Sequence, residues 1–220
     1  MPQDRSPAPS PVLRAAGSLR AALPRSTARC RLREVRDEDA AEVHAYRRLE
    51  EVSRYLAHPP LSPDEAVELV AGWVRDPAAV TVVAELDGLV VGDVRLLLRP
   101  AAAMPPATTT EVEAWVGYAF HPEAQGRGLA RECVAALVDL AMAARSERPG
   151  HEPGEVGEVG GVAARRVSAR VFAPAVRSSR LLASLGFHLD GVERSAVLDP
   201  GGTTWWDDEL WSVLPGELLR

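Results

Sequence analysis

Between a β-rich stretch and an Ala- and Leu-rich one, the sequence places Gln125-Gly126-Arg127-Gly128-Leu129-Ala130-Arg131. Two glycines beside two arginines, at the predicted start of a helix, have the makings of a phosphate site. A helix start presents unpaired N–H groups and the positive end of the dipole. Glycine lets a ligand approach the backbone with no Cβ in the way. Together these features bind phosphate, and Arg127 and Arg131 add charge-assisted contacts to a diphosphate. The same glycines would also serve an ordinary connection in an α/β fold. Two common nucleotide motifs are excluded. There is no G-x-x-x-x-G-K-[ST], since the chain contains no Lys, and no G-x-G-x-x-G follows the strand.

The elements around the loop must hold it. In residues 112–120 one face carries Val112, Ala114, Val116, Tyr118 and Phe120, and the other carries Glu113, Trp115, Gly117 and Ala119. That period of two predicts a strand, ended at His121-Pro122 because proline cannot donate to a ladder. After the loop, Leu129, Val134, Leu137, Val138, Leu140, Ala141 and Ala144 recur at helical spacing. Upstream, Cys30–Val35 reads as a strand. A helix opened by Asp37 or Asp39 follows, with capping-box spacing between Asp39 and Glu42. Ser62-Pro63-Asp64-Glu65 is a stronger helix start, to about Val74. Asp87-Gly88 joins strands 80–86 and 89–98 as a hairpin. Downstream, strand 166–172 leads to a helix closed by Gly186. Two further strands then flank the turn Asp199-Pro200-Gly201-Gly202. The alternation predicts a mixed sheet with helices on its faces.

Composition narrows the function. A chain of 220 residues with 46% apolar residues is one domain with appendages or two small ones. Lys, Asn and Ile are absent, so all 25 basic residues are Arg, which points to a GC-rich coding sequence. The first 29 residues carry five Arg and one acid, which leaves the rest of a chain of net charge −6 strongly acidic. Such a body argues against nucleic-acid binding. No apolar run reaches membrane-spanning length. Cys30 and Cys133 lack metal-ligand spacing and suggest a reducing, cytoplasmic setting. Residues 1–28, rich in Pro, Ser, Ala and Arg, read as a disordered tail. Residues 29–220 read as a single domain, with residues 145–164 a mobile Gly-rich insertion.

The central segment resembles the acyl-CoA loop of GNAT-type N-acetyltransferases, whose pattern is Arg or Gln, two residues, Gly, one residue, Gly or Ala. Gln125, Gly128 and Ala130 match it, as do the flanking strand, His-Pro and long helix. The closing segment is similar to the RimJ/RimL-type branch through Leu185-Gly186-Phe187, Gly191-Val192-Glu193-Arg194 and Trp206-Asp207. The likeness spans roughly residues 30–214. It implies an α/β (α+β mixed) fold with a mostly antiparallel sheet of about seven strands, splayed at the acyl-CoA cleft, and about four helices on its faces. It further implies transfer of an acetyl group from acetyl-CoA to a primary amine, a protein N-terminus or a small amine, with no metal. The alternative is a catalytically silent acyl-CoA-binding module. A homodimer through the last strands is compatible with the sequence.

The resemblance also implies roles for particular residues. Gln125, Gly126, Arg127, Gly128, Leu129, Ala130 and Arg131 would hold the diphosphate. Ala119 and Phe120 would flank pantetheine, Gly117 is small enough to let it approach, and Ser178 would contact CoA. Two positions depart from the family pattern: Ala175 stands where an Asn is common, and Leu182 where many relatives have the acidic Tyr. Ser178 or water would then protonate the leaving thiolate. Glu113, one strand repeat from the usual glutamate position, is the candidate base, and His121 a second. Asp207, Asp208 and Glu209 would face a cationic acceptor, with Tyr55, His58 and Trp73 as further candidates on the acceptor side.

Overall fold

The computed structural model describes residues 9–143 and 163–219. The chain opens with α1 (Pro11–Ala21), β1 (Arg25–Ser26) and β2 (Arg31–Glu34). Then come α2 (Ala40–Arg47), α3 (Glu50–Ser53), α4 (Pro63–Arg75) and the hairpin β3 (Ala79–Leu86) and β4 (Leu89–Pro100). The centre is β5 (Val112–Phe120) and α5 (Leu129–Ala143). The chain closes with β6 (Ala164–Phe172), α6 (Val176–Ser184), β7 (His188–Leu198) and β8 (Trp205–Val213). The insertion expected at 145–164 falls outside the described residues except at its end, where Ala164 opens β6.

The eight strands form one sheet in the order β1-β2-β3-β4-β5-β6-β8-β7. Only β5 and β6 run parallel; every other pairing is antiparallel. The sheet is therefore mixed and mostly antiparallel, as expected. The alternation of β5 divides two helical layers. Val112, Ala114, Val116 and Phe120 join a core with α1, α5 and α6, built on Val12, Ala15, Leu129, Val134, Leu137 and Leu182. Ala119, on the other face, joins a smaller core with Val43 and Tyr46 of α2 and Val70 and Trp73 of α4.

Local signals explain most boundaries. Ser62 Oγ accepts from Glu65 N at 3.3 Å, and Glu65 Oε2 accepts from Ser62 N at 2.7 Å, which completes the box that starts α4. Asp87 and Gly88 both take positive φ, as a two-residue hairpin requires. Gly186, at φ 86°, ends α6. Asp39 does not cap through Glu42. Its Oδ2 instead accepts from Arg36 N at 2.8 Å, and both carboxylate oxygens bind Arg33 at 2.7 Å.

The segment expected as a disordered tail is structured from residue 9. Ser10 caps α1 through Leu13 N, Pro11 sits at its first position, and Val12, Ala15, Ala16 and Leu19 bury one stripe against the sheet. Arg20 fixes the end of α1. It bonds Glu34 at 2.8 Å and the carbonyls of Asp76 and Ala79 at 3.0 and 2.6 Å. α1 and β1, together with the short α3, are why the fold has eight strands and six α-helices among the described residues rather than about seven and four.

No described helix is long and apolar enough to cross a membrane. Cys30 and Cys133 are free and buried. Burial pushes both thiol pKa values up. Because the thiolate is the reacting form, neither cysteine is expected to react with dithiobis(nitrobenzoate) in native protein at neutral pH. Both should react in guanidinium. Rapid colour from folded protein would contradict this packing.

Candidate active site

Pairing of β5 with β6 begins at Val112↔Ala164 and reaches Trp115↔Ser168, where it stops. Both strands run on, β5 to Phe120 and β6 to Phe172. The sheet is thus split between two parallel strands from Val116 onward, while β5 keeps its register with β4 to the end. His121 N donates to Val91 O at 2.9 Å. By the alternation of an antiparallel ladder, odd-numbered residues of β5 bond to β4. The backbone groups of Val116, Tyr118 and Phe120 therefore face the split.

At its open end lies the glycine loop. His121 caps a single 3₁₀ turn, Pro122–Ala124, its Nδ1 accepting from Glu123 N at 3.2 Å. That bond makes His121 a local cap. Gln125 donates from Nε2 to Phe120 O at 2.9 Å and accepts at Oε1 from Arg177 of α6 at 3.1 Å. It ties the end of β5 to the loop and to the helix across the split. Gly126 and Gly128 have φ of 70° and 77°, values a residue with a Cβ adopts only under strain. Leu129 is fully buried and anchors the start of α5, and Ala130 packs on the same core.

The amide of Glu132 is the first in α5 to find a carbonyl, that of Gly128, at 3.1 Å. Among the described residues, the amides of 126–131 donate to no carbonyl or side chain. Six consecutive donors at a helix start make an anion site. Arg127 is exposed beside them. Arg131 turns elsewhere and bonds the carbonyls of Ser184 and Leu219 at 3.2 and 3.3 Å. Arg29, missed by sequence reasoning, braces the loop. Its Nη1 donates to Arg127 O at 2.7 Å and its Nη2 pairs with Glu132 at 2.8 Å. Burial raises the pKa of Glu132, but bonds from Thr27 and Arg29 outweigh it and hold the carboxyl below its ordinary range.

On the α6 side, Ser178 lies in the first turn, and its carbonyl accepts from Tyr118 Oη at 3.4 Å. Burial pushes the Tyr118 phenol up to about 12, so it stays protonated at working pH. Leu182 is core.

The structure does not bring Glu113 to the opening. Glu113 lies before it, on the zipped part of β5, with Oε1 on Arg165 at 2.9 Å and Oε2 on Arg166 at 3.0 Å. Both oxygens are committed to guanidinium groups. The three acids 207–209 do not converge either, because neighbours on a strand point to opposite faces. Glu209 accepts from Ser179 of α6 and from Trp211, and Asp207 accepts from Ser195 N. Asp208 alone points to the face of α2–α4.

That face holds a polar network unmarked in the sequence reading. Asp93, level with Ala119, accepts from Tyr46 Oη at 2.7 Å and from Arg47 at 2.7 and 3.1 Å. Arg47 also donates to His58 Nε2 at 2.8 Å, so His58 is neutral there and donates from Nδ1 to Pro59 O. The guanidinium lies 4.8 Å over Trp73. Burial pulls the Arg47 pKa down, and Asp93 more than restores it. An aspartate at an inward position of the apolar run Val90–Leu98 was the available signal. Among the described residues, no group of His, Cys, Asp or Glu could hold a metal.

Solved structures share this architecture. RimL, described as a ribosomal L7/L12 alpha-N-protein acetyltransferase in complex with coenzyme A, superposes with a TM-score of 0.65 at 16% identity, covering 87% of this chain and 97% of that one. Mycobacterium smegmatis RimJ, in complex with a CoA disulfide, gives 0.64 at 20% identity, over 90% and 91%. The ribosomal-protein-S5-alanine acetyltransferase of Vibrio fischeri gives 0.61 at 18%, over 89% and 98%. At such identities the likeness establishes the fold alone. A family model described as acetyltransferase (GNAT) domain matches residues 29–188, and the chain belongs to that family. A comparison with curated proteins finds no match.

Proposed function

We propose that this protein transfers an acetyl group from acetyl-CoA to a primary amine, by direct attack of the amine on the thioester. The observation that carries the reading is the split sheet. Pairing of β5 with β6 stops at Trp115, both strands continue, and the opening ends at the amides of residues 126–131, which find no partner among the described residues. In this reading those amides and Arg127 receive the diphosphate, with Gly126 and Gly128 giving it room. Pantetheine pairs with the backbone of Val116, Tyr118 and Phe120, beside Ala119. An amide of β5 facing the split polarises the thioester carbonyl. Ser178 donates to the departing thiolate from the first turn of α6, which Tyr118 holds in place. Arg131 steadies α5 against α6.

With both oxygens of Glu113 on arginines, its role in this reading is to hold the closed end of β5 and β6 together. The amine loses its proton to solvent. The acceptor arrives on the face of α2–α4. A protein α-amine is the acceptor class that the activities of RimL and the S5-alanine enzyme support, in the cytoplasm where acetyl-CoA and nascent chains meet.

Calorimetric titration with acetyl-CoA, followed by thiol release with a panel of free-amine tetrapeptides and alkyl diamines, tests this. Micromolar binding with amine-dependent release is expected. Ser178→Ala should lower kcat about tenfold, the scale of one hydrogen bond to a charged group. Binding without release would identify a silent acyl-CoA module. No binding would overturn the reading.

A further inference from the structure

The acceptor face carries one carboxylate whose hydrogen-bonding capacity the fold leaves half filled. Asp208 of β8 stands beside Phe172 of β6 and Glu193 of β7. It is 4% exposed. Its Oδ2 accepts from Arg170 Nε at 2.7 Å, while Oδ1 is buried with no partner among the described residues. A buried anionic oxygen without a donor is strongly disfavoured. The other buried carboxylates among the described residues are satisfied: Asp39 by Arg33 and the Arg36 amide, Asp93 by Tyr46 and Arg47.

The surroundings of Asp208 are aromatic. Trp206 lies two residues earlier on the same strand face. Its ring centroid is 5.7 Å from that of Tyr55 and 6.2 Å from that of Phe172. The contact with Tyr55 joins β8 to the end of α3, where Ser53 Oγ is also buried without a partner among the described residues. Two unmatched polar atoms thus lie on elements that meet through an aromatic wall. Continuing the register Trp115↔Ser168 by four residues sets Ala119 level with Phe172 across the split. Asp208, beside Phe172, stands one strand further out, across β6 from the opening. Arg54 lies 5.9 Å over both Tyr55 and Trp206. Those ring faces are therefore covered by a cation, and recognition of positive charge falls to Asp208.

We propose that Asp208 is the acceptor-recognition residue, its Oδ1 receiving an N–H of the protonated primary amine while Tyr55, Trp206 and Phe172 wall the chain behind it. This rests on the acetyltransferase reading above and narrows it to acceptors that dock as cations. Arg170 keeps Oδ2 occupied and fixes the carboxylate's orientation.

The test compares wild type with Asp208→Asn and Asp208→Ser, using whichever tetrapeptide or diamine of the panel wild type acetylates fastest. Arg170 keeps Glu193 as a partner in both variants. The KM for the amine should rise about 10- to 100-fold, the scale of a charge-assisted hydrogen bond. The Kd for acetyl-CoA, read by calorimetry, should stay unchanged. An unchanged amine KM in either folded variant overturns the proposal. So does a parallel loss of acetyl-CoA affinity, which would mark Asp208 as a support for β6. A measurement on wild type alone covers the case in which neither variant folds. The isostere with hydroxyl in place of amine should inhibit with a Ki at least about tenfold above the amine's KM, and equal values overturn the proposal. If wild type binds acetyl-CoA but acetylates no amine, the acetyltransferase reading fails first and takes this inference with it.

Discussion

Gly128→Glu is expected to weaken acetyl-CoA binding by at least about a hundredfold while leaving the protein folded. Gly128 sits at φ 77°, where any side chain is strained, at about 1–2 kcal/mol. A Cβ built there meets only Arg29 Nη2, at 3.4 Å, so the fold has room for it. The larger effect is electrostatic. Two like charges about 4 Å apart near a protein surface repel by about 4 kcal/mol, and about 2.8 kcal/mol of that suffices for a hundredfold in Kd. The new carboxylate would stand among the amides of 126–131, which the proposed function assigns to the diphosphate. Gly128→Ala separates the two effects. It keeps the backbone strain without the charge, and should lose no more than about tenfold. Calorimetric titration of both variants, with melting curves alongside, checks the prediction. Wild-type affinity in Gly128→Glu would place the diphosphate elsewhere.

The parts of this site legible in sequence were those governed by short-range rules. Strand alternation in Val112–Phe120, the Ser62-Pro63-Asp64-Glu65 start and the two glycines of the loop each depend on residues within a few positions. Helix α1 obeyed such a rule too. Val12, Ala15, Ala16 and Leu19 follow i, i+3, i+4, i+7, with Ser10 and Pro11 in place to start them. The surrounding Pro, Ser and Arg give the segment the composition of a tail, which masks this periodicity. The facing of Asp208 away from Asp207 and Glu209 also follows from strand alternation, once the strand is granted. Glu113 differs in kind. Its fate is set by Arg165 and Arg166, more than fifty positions onward and beyond a long insertion. No local pattern announces that pairing. Arg29 reaching Glu132, and Arg47 reaching Asp93, are equally non-local. Tertiary partners decide whether a charged side chain is a reagent or a brace.

The Arg47 cluster should dominate stability. Arg47→Met is expected to lower the unfolding free energy by about 3–5 kcal/mol, the loss typical when one partner of a buried ion pair is removed. Asp93 is 1% exposed and would keep only the Tyr46 hydroxyl as a donor. His58 Nε2 would lose its donor, and Trp73 the guanidinium that covers its ring. In a domain of this size the melting temperature should fall by roughly 10 °C. The loss comes from the stranded charge rather than from any large net gain in the pair itself. Replacing the whole polar set, Tyr46→Phe with Arg47→Met and Asp93→Leu, should therefore recover most of the stability, since apolar replacements of similar volume are often neutral. Chemical denaturation of the single and triple variants tests this, and a triple variant less stable than Arg47→Met would sink it. Activity should respond differently. Asp93 is level with Ala119 on the face that the proposed function gives to the acceptor, so the repacked triple variant should fold yet bind its amine more weakly, while acetyl-CoA, which that reading assigns to the loop, should bind as before.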